Sequence, residues 1–268
     1  MKFSGTLSIA REPAPSAAEL YSARNLKDFA TGLHFHSEVQ IVVVSEGERK
    51  FTFRGETLVL TKGDCLIIPA YEPHFGSSLT DKPATFKSVY VSDTCLRDLP
   101  ALEGCFSGEL EPIVLHAPDF ARIFAGETTQ DSLDVGLIRK LLDRNRSEMS
   151  KARSVPTEVG DRQLATVLSS VRTILAKEMT KPPSLNMLSK KMGVSKFYLT
   201  RQFSKLYGMS PYAFNLRCRL NEAKVLLAKG EPVCAVAHDL GFFDQSHFGL
   251  HFRRVLGFSP AAYQKILH

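Results

Sequence analysis

Two periodicities divide this chain. From about residue 23 to residue 90 apolar and polar residues alternate in short runs broken by turns, and beyond Pro118 the apolar residues recur at three- and four-residue spacing. The first regime predicts strands over 39–44, 49–53, 57–60, 65–68 and 85–91, with turns at Gly55 and at Lys62-Gly63-Asp64. Short strands at this spacing suggest an antiparallel barrel or jelly roll. The second regime predicts helices over 120–125, 135–142 and 164–179. Between the last two, the stretch RNRSEMSKARSVPTEVGD is polar, charged and broken by Pro and Gly, and it reads as a linker.

From Leu185 onward one helical pattern is written twice. Gly193 matches Gly241, 48 residues apart. Leu199, Phe203, Gly208, Ser210 and Pro211 match Phe248, Phe252, Gly257, Ser259 and Pro260, 49 residues apart. The second copy therefore carries one extra residue in its turn. Each copy reads as a helix, a turn at a glycine suited to a left-handed helix end, a Ser195 or Asp244 cap, a second helix, and a stop at Gly followed by Ser-Pro. That is a helix-turn-helix, present twice. In the second helix of each copy Phe197, Leu199 and Phe203, or Phe248 and Phe252, are read as the core side. Lys196, Thr200, Arg201 and Lys205 in one copy, and Gln245, Ser246, His247, Arg253 and Arg254 in the other, form a polar or basic face suited to a DNA groove. Phe197 is open to two readings, core or base contact, and so is His247, packing or base contact. Arg253 and Arg254, late on their helix, suit phosphate.

Charge changes the picture in one respect. Residues 161–268 hold 16 Lys/Arg against 6 Asp/Glu, whereas the rest holds 18 against 22, so the net charge of +6 conceals a basic C-terminal module on a mildly acidic N-terminal one. A basic module implies a polyanionic partner. No apolar run approaches the length of a membrane span, and the first residues lack the apolar segment of a secretory signal. Five cysteines without paired metal spacing, Cys65, Cys95, Cys105, Cys218 and Cys234, suit free thiols in a reducing compartment. A cytoplasmic location is the expectation. No nucleophile triad, phosphate loop or HExxH motif is present.

The C-terminal third resembles the DNA-binding domain of the AraC/XylS transcription regulators. The resemblance rests on VSKFYLTRQFSKLYGMSPYAF, on RLNEAKVLLAKG from Arg219 to Gly230, and on AVAHDLGFFDQSHFGLHFRRVLGFSPAAY, about 100 residues in all. It implies that two recognition helices enter adjacent major-groove segments. By position the base-edge candidates are Lys196, Phe197, Thr200 and Arg201 in the first, and Gln245, Ser246, His247 and Leu250 in the second. Leu250 departs from the pattern, since members usually carry Arg there. Leucine cannot contact guanine bidentately, but it can touch a thymine methyl.

The alternating region resembles a cupin. GLHFH at 32–36, Gln40 and Gly47 match the first cupin motif, and Gly63, Pro69 and His74 the second, with Tyr71 where a glycine is usual. The resemblance puts His34, His36, Gln40 and His74 where metal-binding cupins hold their ion. Gln40 replaces a glutamate, and a neutral amide is a weak ligand. A metal-free pocket for a small ligand, also lined by Tyr71, is the reading adopted, with no cofactor and no metal. Histidines that merely pack, and a bound metal, stay open. Phe35, Phe51, Phe53, Tyr71 and Phe75 are candidate pocket walls.

The chain is thus expected to be α+β in two domains. A cupin-like barrel or jelly roll with following helices spans 1–146, a linker 147–161, and an all-α domain 162–268 with helix-turn-helix motifs near 185–206 and 233–256. The expected function is a sequence-specific transcription regulator, an activator by the resemblance, controlled by a small-molecule effector and not an enzyme. Its partners would be promoter DNA, RNA polymerase and a second copy of itself, packed through the helix at 135–142. That helix has a second reading, as a cover for the barrel. A cupin metalloenzyme with a DNA-binding tail is the alternative function, and a constitutive DNA binder with a barrel that only dimerises is a third.

Overall fold

The structure is a computed structural model and describes residues 4–11, 18–27, 31–78, 83–95, 98–107, 111–118, 135–144, 153–154 and 162–267. The helix expected at 120–125 lies outside the described residues, as does the linker at 147–161 apart from Arg153–Ser154. The chain divides into two compact units. One is Met1–Ala165 with Leu206–Gly208, and the other is Thr166–Lys205 with Met209–His268.

The first unit is built from two antiparallel sheets. Ten strands are described: β1 (Ser4–Arg11), β2 (Ala18–Lys27), β3 (Val39–Glu46), β4 (Arg49–Phe53), β5 (Glu56–Leu60), β6 (Asp64–Ile68), β7 (Phe75–Ser78), β8 (Ala84–Val91), β9 (Ile113–His116) and β10 (Arg153–Ser154). Seven run in the order β1-β2-β8-β3-β6-β9-β10, and three in the order β5-β4-β7. The expected barrel is therefore two facing sheets of jelly-roll type rather than one closed wall. The sheet also begins earlier than residue 23, with β1 paired to β2 and β2 to β8. Arg153–Ser154, inside the expected linker, pairs with β9.

Period-two alternation sorts the central strands into two cores. On β3, Val39, Ile41 and Val43 join Cys65, Ile67, Val89 and Val91 on one side of the large sheet. Two helices follow the sheet: α1 (Glu103–Ser107) and α2 (Val135–Arg144). Leu102, Cys105, Ile138 and Leu142 pack onto that side. Ile138 and Leu142, both buried, bind α2 to its own sheet, in line with the covering-helix reading. On the other face Val42, Val44, Leu66, Ile68 and Phe86 meet Phe51, Phe53 and Leu60 of the small sheet. A strand buried on both faces explains why β3 reads as a nearly unbroken apolar run.

The second unit is all helix: α3 (Arg162–Lys177), α4 (Leu185–Met192), α5 (Lys196–Tyr207), α6 (Pro211–Ala228), α7 (Val233–Asp239), α8 (Gln245–Leu256) and α9 (Pro260–Leu267). The repeat holds down to its hydrogen bonds. Gly193 and Gly241 have φ of 67° and 68°. Val194 N donates to Ser189 O at 3.0 Å, and Phe242 N to Ala237 O at 2.9 Å, which closes both first helices in the same way. Ser195 Oγ accepts from Tyr198 N, and Asp244 Oδ1 from His247 N. Ser210 and Ser259 cap α6 and α9 alike. Pro211 and Pro260 open those helices, where a missing N–H costs little.

Helix α6 joins the two motifs and ties down two other helix ends, whose last carbonyls have no partner within their own helix. Asn215 Nδ2 donates to Leu175 O of α3 at 2.8 Å, and Arg219 Nε to Leu240 O, just beyond α7, at 2.7 Å. Leu220, Ala223 and Leu227 of α6 share a core with Val236, Phe248 and Phe252. Phe203 meets Phe214 edge to face at 5.7 Å on the side of the first motif.

Candidate functional site

Two groups of side chains carry the chemistry, one in each unit. In the first unit, β3 turns Gln40 to the face that also carries Val42 and Val44, between the sheets. His34 and His74 form an isolated antiparallel bridge, each backbone N–H donating to the other's carbonyl with N to O distances of 3.0 and 2.9 Å. Tyr71, at φ 60°, donates its N–H to His36 O at 2.8 Å. These backbone bonds join the two sequence motifs. Ring centroids of His34 and His74 are 4.5 Å apart, and those of His36 and His74 5.1 Å. Each imidazole is held at Nδ1 by a backbone carbonyl, of Gly32, Glu38 and Glu72 respectively for His34, His36 and His74. Gln40 bridges the group: its Oε1 lies 3.1 Å from His36 Nε2, and its Nε2 donates to Ser88 Oγ and Tyr90 Oη at 3.2 and 2.9 Å.

Burial disfavours charge on His36 and His74. His74 is held well below the ordinary histidine range by desolvation, then by His36, His34 and Arg49. His36 is lowered by desolvation first, which outweighs the favourable contacts to Glu38 and Gln40. Arg49, with its Cζ 5.4 and 4.4 Å from the Phe51 and Phe86 ring centroids, falls to about 10 through burial.

The set does not suit a metal. The carboxylate position is an amide already hydrogen-bonded on both sides, and one His36 nitrogen faces it. Among the described residues no group of three or more His, Cys, Asp or Glu is placed to hold an ion. Of the candidate walls, Phe51 and Phe53 are buried within 6.3 and 5.7 Å of the His74 ring, and Phe35 lies 6.3 Å from Tyr71. Phe75 is 39 % exposed and is no wall. Ser88, Tyr90 and Arg49 belong to this interior, and no sequence motif marks them. The alternation of β8 and β4 is the signal that could have found them.

In the second unit the buried side of α5 carries Leu199 and Phe203, and that of α8 Phe248 and Phe252. Lys196, Arg201, Lys205, Gln245, Ser246, Arg253 and Arg254 are exposed, and Thr200 is half-buried. Phe197 is 77 % exposed, so its core reading is wrong: it stands two residues before Leu199, about 200° round the helix. Leu250 is 66 % exposed. His247 is half-buried. Its Nε2 lies 3.0 Å from His251 Nε2, its ring packs edge-on against Phe242, and its Nδ1 is buried with no hydrogen-bond partner. The structure thus brings His247 to its neighbours, and His251 is the residue that sequence reasoning missed. Desolvation, His247, Arg219 and Arg254 lower the pKa of His251. Arg219 is buried, with its Cζ 3.8 Å from the Phe242 ring centroid. The five cysteines are free thiols, four of them buried.

A sheet sandwich with a polar cluster in its apolar interior and a helical unit with two exposed basic helix faces suit a ligand-binding module and a DNA-binding module on one chain. The known proteins it resembles agree. Residues 16–126 match the family description "AraC-like ligand binding domain", and residues 188–266 "Helix-turn-helix domain". The HTH-type transcriptional regulator YbfI of Bacillus subtilis is 27 % identical over 228 residues, 80 % of each chain. The lactose operon transcription activator of Staphylococcus xylosus is 20 % identical over 237 residues, 83 % of this chain and 82 % of that one. ToxT of Vibrio cholerae, solved with an unsaturated fatty acid bound, shares the fold with a TM-score of 0.52 at 15 % identity, covering 95 % of this chain and 97 % of its own. The chain belongs to the AraC family: it is a DNA-binding transcription regulator with an N-terminal ligand-binding domain. No helix among the described residues is long and apolar enough to cross a membrane.

Proposed function

We propose that this regulator is an activator whose effector binds between the two sheets of the first unit, against His34, His36, Gln40, Tyr71 and His74. The observation that carries this is the polar cluster between the sheets, in which Gln40, His74 and Ser88 are buried, His34, His36 and Tyr90 are half-buried, and Gln40 bonds to Ser88 and Tyr90. Buried polar groups of this density orient a small ligand. Activation is supported by the Staphylococcus xylosus relative, itself an activator. The chain acts as a regulator and not as an enzyme, because its relatives regulate transcription and its cupin carboxylate is Gln40. It works in the cytoplasm, as a homodimer formed by residues before the 147–161 linker, on promoter DNA and with RNA polymerase. The 162–268 module reads DNA through Lys196, Phe197, Thr200, Arg201, Lys205, Gln245, Ser246, His247, Leu250, Arg253 and Arg254.

A thermal-shift screen of the full chain tests the effector reading. A ligand bound only by the folded state must raise the melting temperature. Sugars, small carboxylates and fatty acids form the panel, the last because ToxT carries one. The expected hit loses its shift in His74→Ala, while DNA affinity without ligand is retained. A hit whose shift survives both His34→Ala and His74→Ala places the effector elsewhere.

A further inference from the structure

The two reading helices are equivalent in fold and opposite in chemistry at their outward centre. Arg201 lies two residues from both Leu199 and Phe203, and Leu250 two residues from both Phe248 and Phe252. Each therefore stands about 200° round its helix from the buried side. The two positions are 49 residues apart, at the same place in the repeat. One carries a guanidinium fork, the other a branched alkyl group, 66 % exposed.

A second apolar group stands beside the second reading helix. The turn of the first motif is Gly193-Val194 before the Ser195 cap, whereas that of the second is Gly241-Phe242-Phe243 before Asp244. Phe242 matches Val194 in its hydrogen bond and is buried in the core. The inserted residue is thus Phe243, and it is 91 % exposed at the N-terminal rim of α8. An aromatic ring at the rim of α8 and a leucine on it are left in water, and the exposed Ser246, Arg253 and Arg254 stand within about 60° of Leu250 round the helix. The cations select a polyanion, so the apolar groups meet what a polyanion offers in apolar form. In DNA that is the thymine C5-methyl of the major groove.

We infer that the two motifs read different base chemistry: α5 reads guanine through Arg201, and α8 reads thymine methyls through Leu250 and Phe243. The target is then asymmetric, with a guanine-bearing segment and a thymine-bearing segment about one helical turn apart. This rests on the DNA-reading assignment of α5 and α8 above.

The test uses the full chain and a fluorescein-labelled duplex selected by it from a random library. Thymines are replaced by deoxyuridine, which removes only the methyl, and guanines by 7-deazaguanine, which removes only N7. Deoxyuridine in the thymine segment should weaken binding about fourfold per contacted methyl. Leu250→Ala should bind the thymine and uracil duplexes equally, and Phe243→Ala should reduce their difference. Sensitivity to 7-deazaguanine should vanish in Arg201→Ala. Both apolar residues are exposed, so these variants keep the fold. Equal affinity for thymine and uracil throughout a duplex that is still preferred over a scrambled one overturns the inference and spares the DNA-reading assignment. Equal affinity for selected and scrambled duplexes overturns that assignment itself. A sedimentation change in Phe243→Ala without DNA gives Phe243 to a contact between chains and removes it from the reading face.

Discussion

The two turn glycines offer a controlled comparison, because they share a backbone conformation and differ in surroundings. Alanine at either must take φ near +67°, which costs about 1–2 kcal/mol for a residue with a Cβ. At Gly193 nothing lies within 4 Å of the added Cβ, so the cost ends there. At Gly241 the Cβ would collide with Thr180 O and stand 3.0 Å from Thr180 C. The obstacle is backbone, so no rotamer relieves it. The segment after α3 must move, at an overpacking cost of about 1–3 kcal/mol more. The total for Gly241→Ala is then about 2–5 kcal/mol against about 1–2 for Gly193→Ala. In a unit of roughly 100 residues each kcal/mol lowers Tm by about 4–8 °C. Urea unfolding followed by circular dichroism at 222 nm, dominated by the helical unit, measures both. Equal losses from the two substitutions would refute the steric argument, and so would a larger loss at Gly193.

Arg201→Ala should cost about 1–3 kcal/mol at the selected site and relax one base position. Arg254→Ala should weaken specific and non-specific DNA alike and lower the salt slope by about one, so base-selective loss from Arg254→Ala counts against its phosphate role. Because desolvation lowers the pKa of His36 and His74 in the folded chain, the unfolded chain takes up protons below about pH 6.5 more readily than the folded one. Their contribution is absent above that pH, and stability falls as pH drops below it, by up to about 1.4 kcal/mol per pH unit for each histidine. A Tm for the first unit that is flat or rising from pH 7 to pH 5 contradicts this, and His74→Gln should flatten the slope. Asp244→Ala removes the α8 cap and should cost about 0.5–2 kcal/mol, read from the same urea transition. Sedimentation of the full chain decides the dimer: a single species of monomer mass at micromolar concentration, with and without DNA, removes it.

Much of the fold is legible in the order of the residues. The paired glycines, the Ser-Pro stops and the 48- and 49-residue spacings locate both motifs, because turns and caps are set by local chemistry. The strand at 49–53 follows from alternation, and that at 65–68 from a short apolar run between the Lys62-Gly63-Asp64 turn and Pro69. What escapes is set by distant partners. Strand β7 is FGSS, with no alternation to read, and is extended because it pairs with β4. Strands β1 and β2 lie almost wholly before the stretch read as alternating, and they pair with each other and with β8. A core place for Phe197 rests on a two-residue step to Leu199, which a helix of 3.6 residues per turn cannot keep on one side. Arg219, by its place at the start of the joining stretch, suits phosphate or the scaffold. Its role in holding the carbonyl of Leu240 depends on a turn 21 residues later.

The joining helix makes the protein a gauge of fixed length. Helix α6 runs unbroken for 18 residues, with Asn215 anchored to the end of one helix and Arg219 to the end of another. Removing or adding one residue between those anchors would rotate everything beyond it by about 100° and shift it about 1.5 Å along the axis. No single insertion or deletion there yields a slightly longer or shorter reader, since the second motif would face another way. Separation between the two recognised segments is therefore inherited as a whole number. Under the proposed reading by α5 and α8, variation among target sites would come from the bases and from the bend of the duplex, and a promoter that gained or lost one base pair between the segments would fall out of register with this regulator.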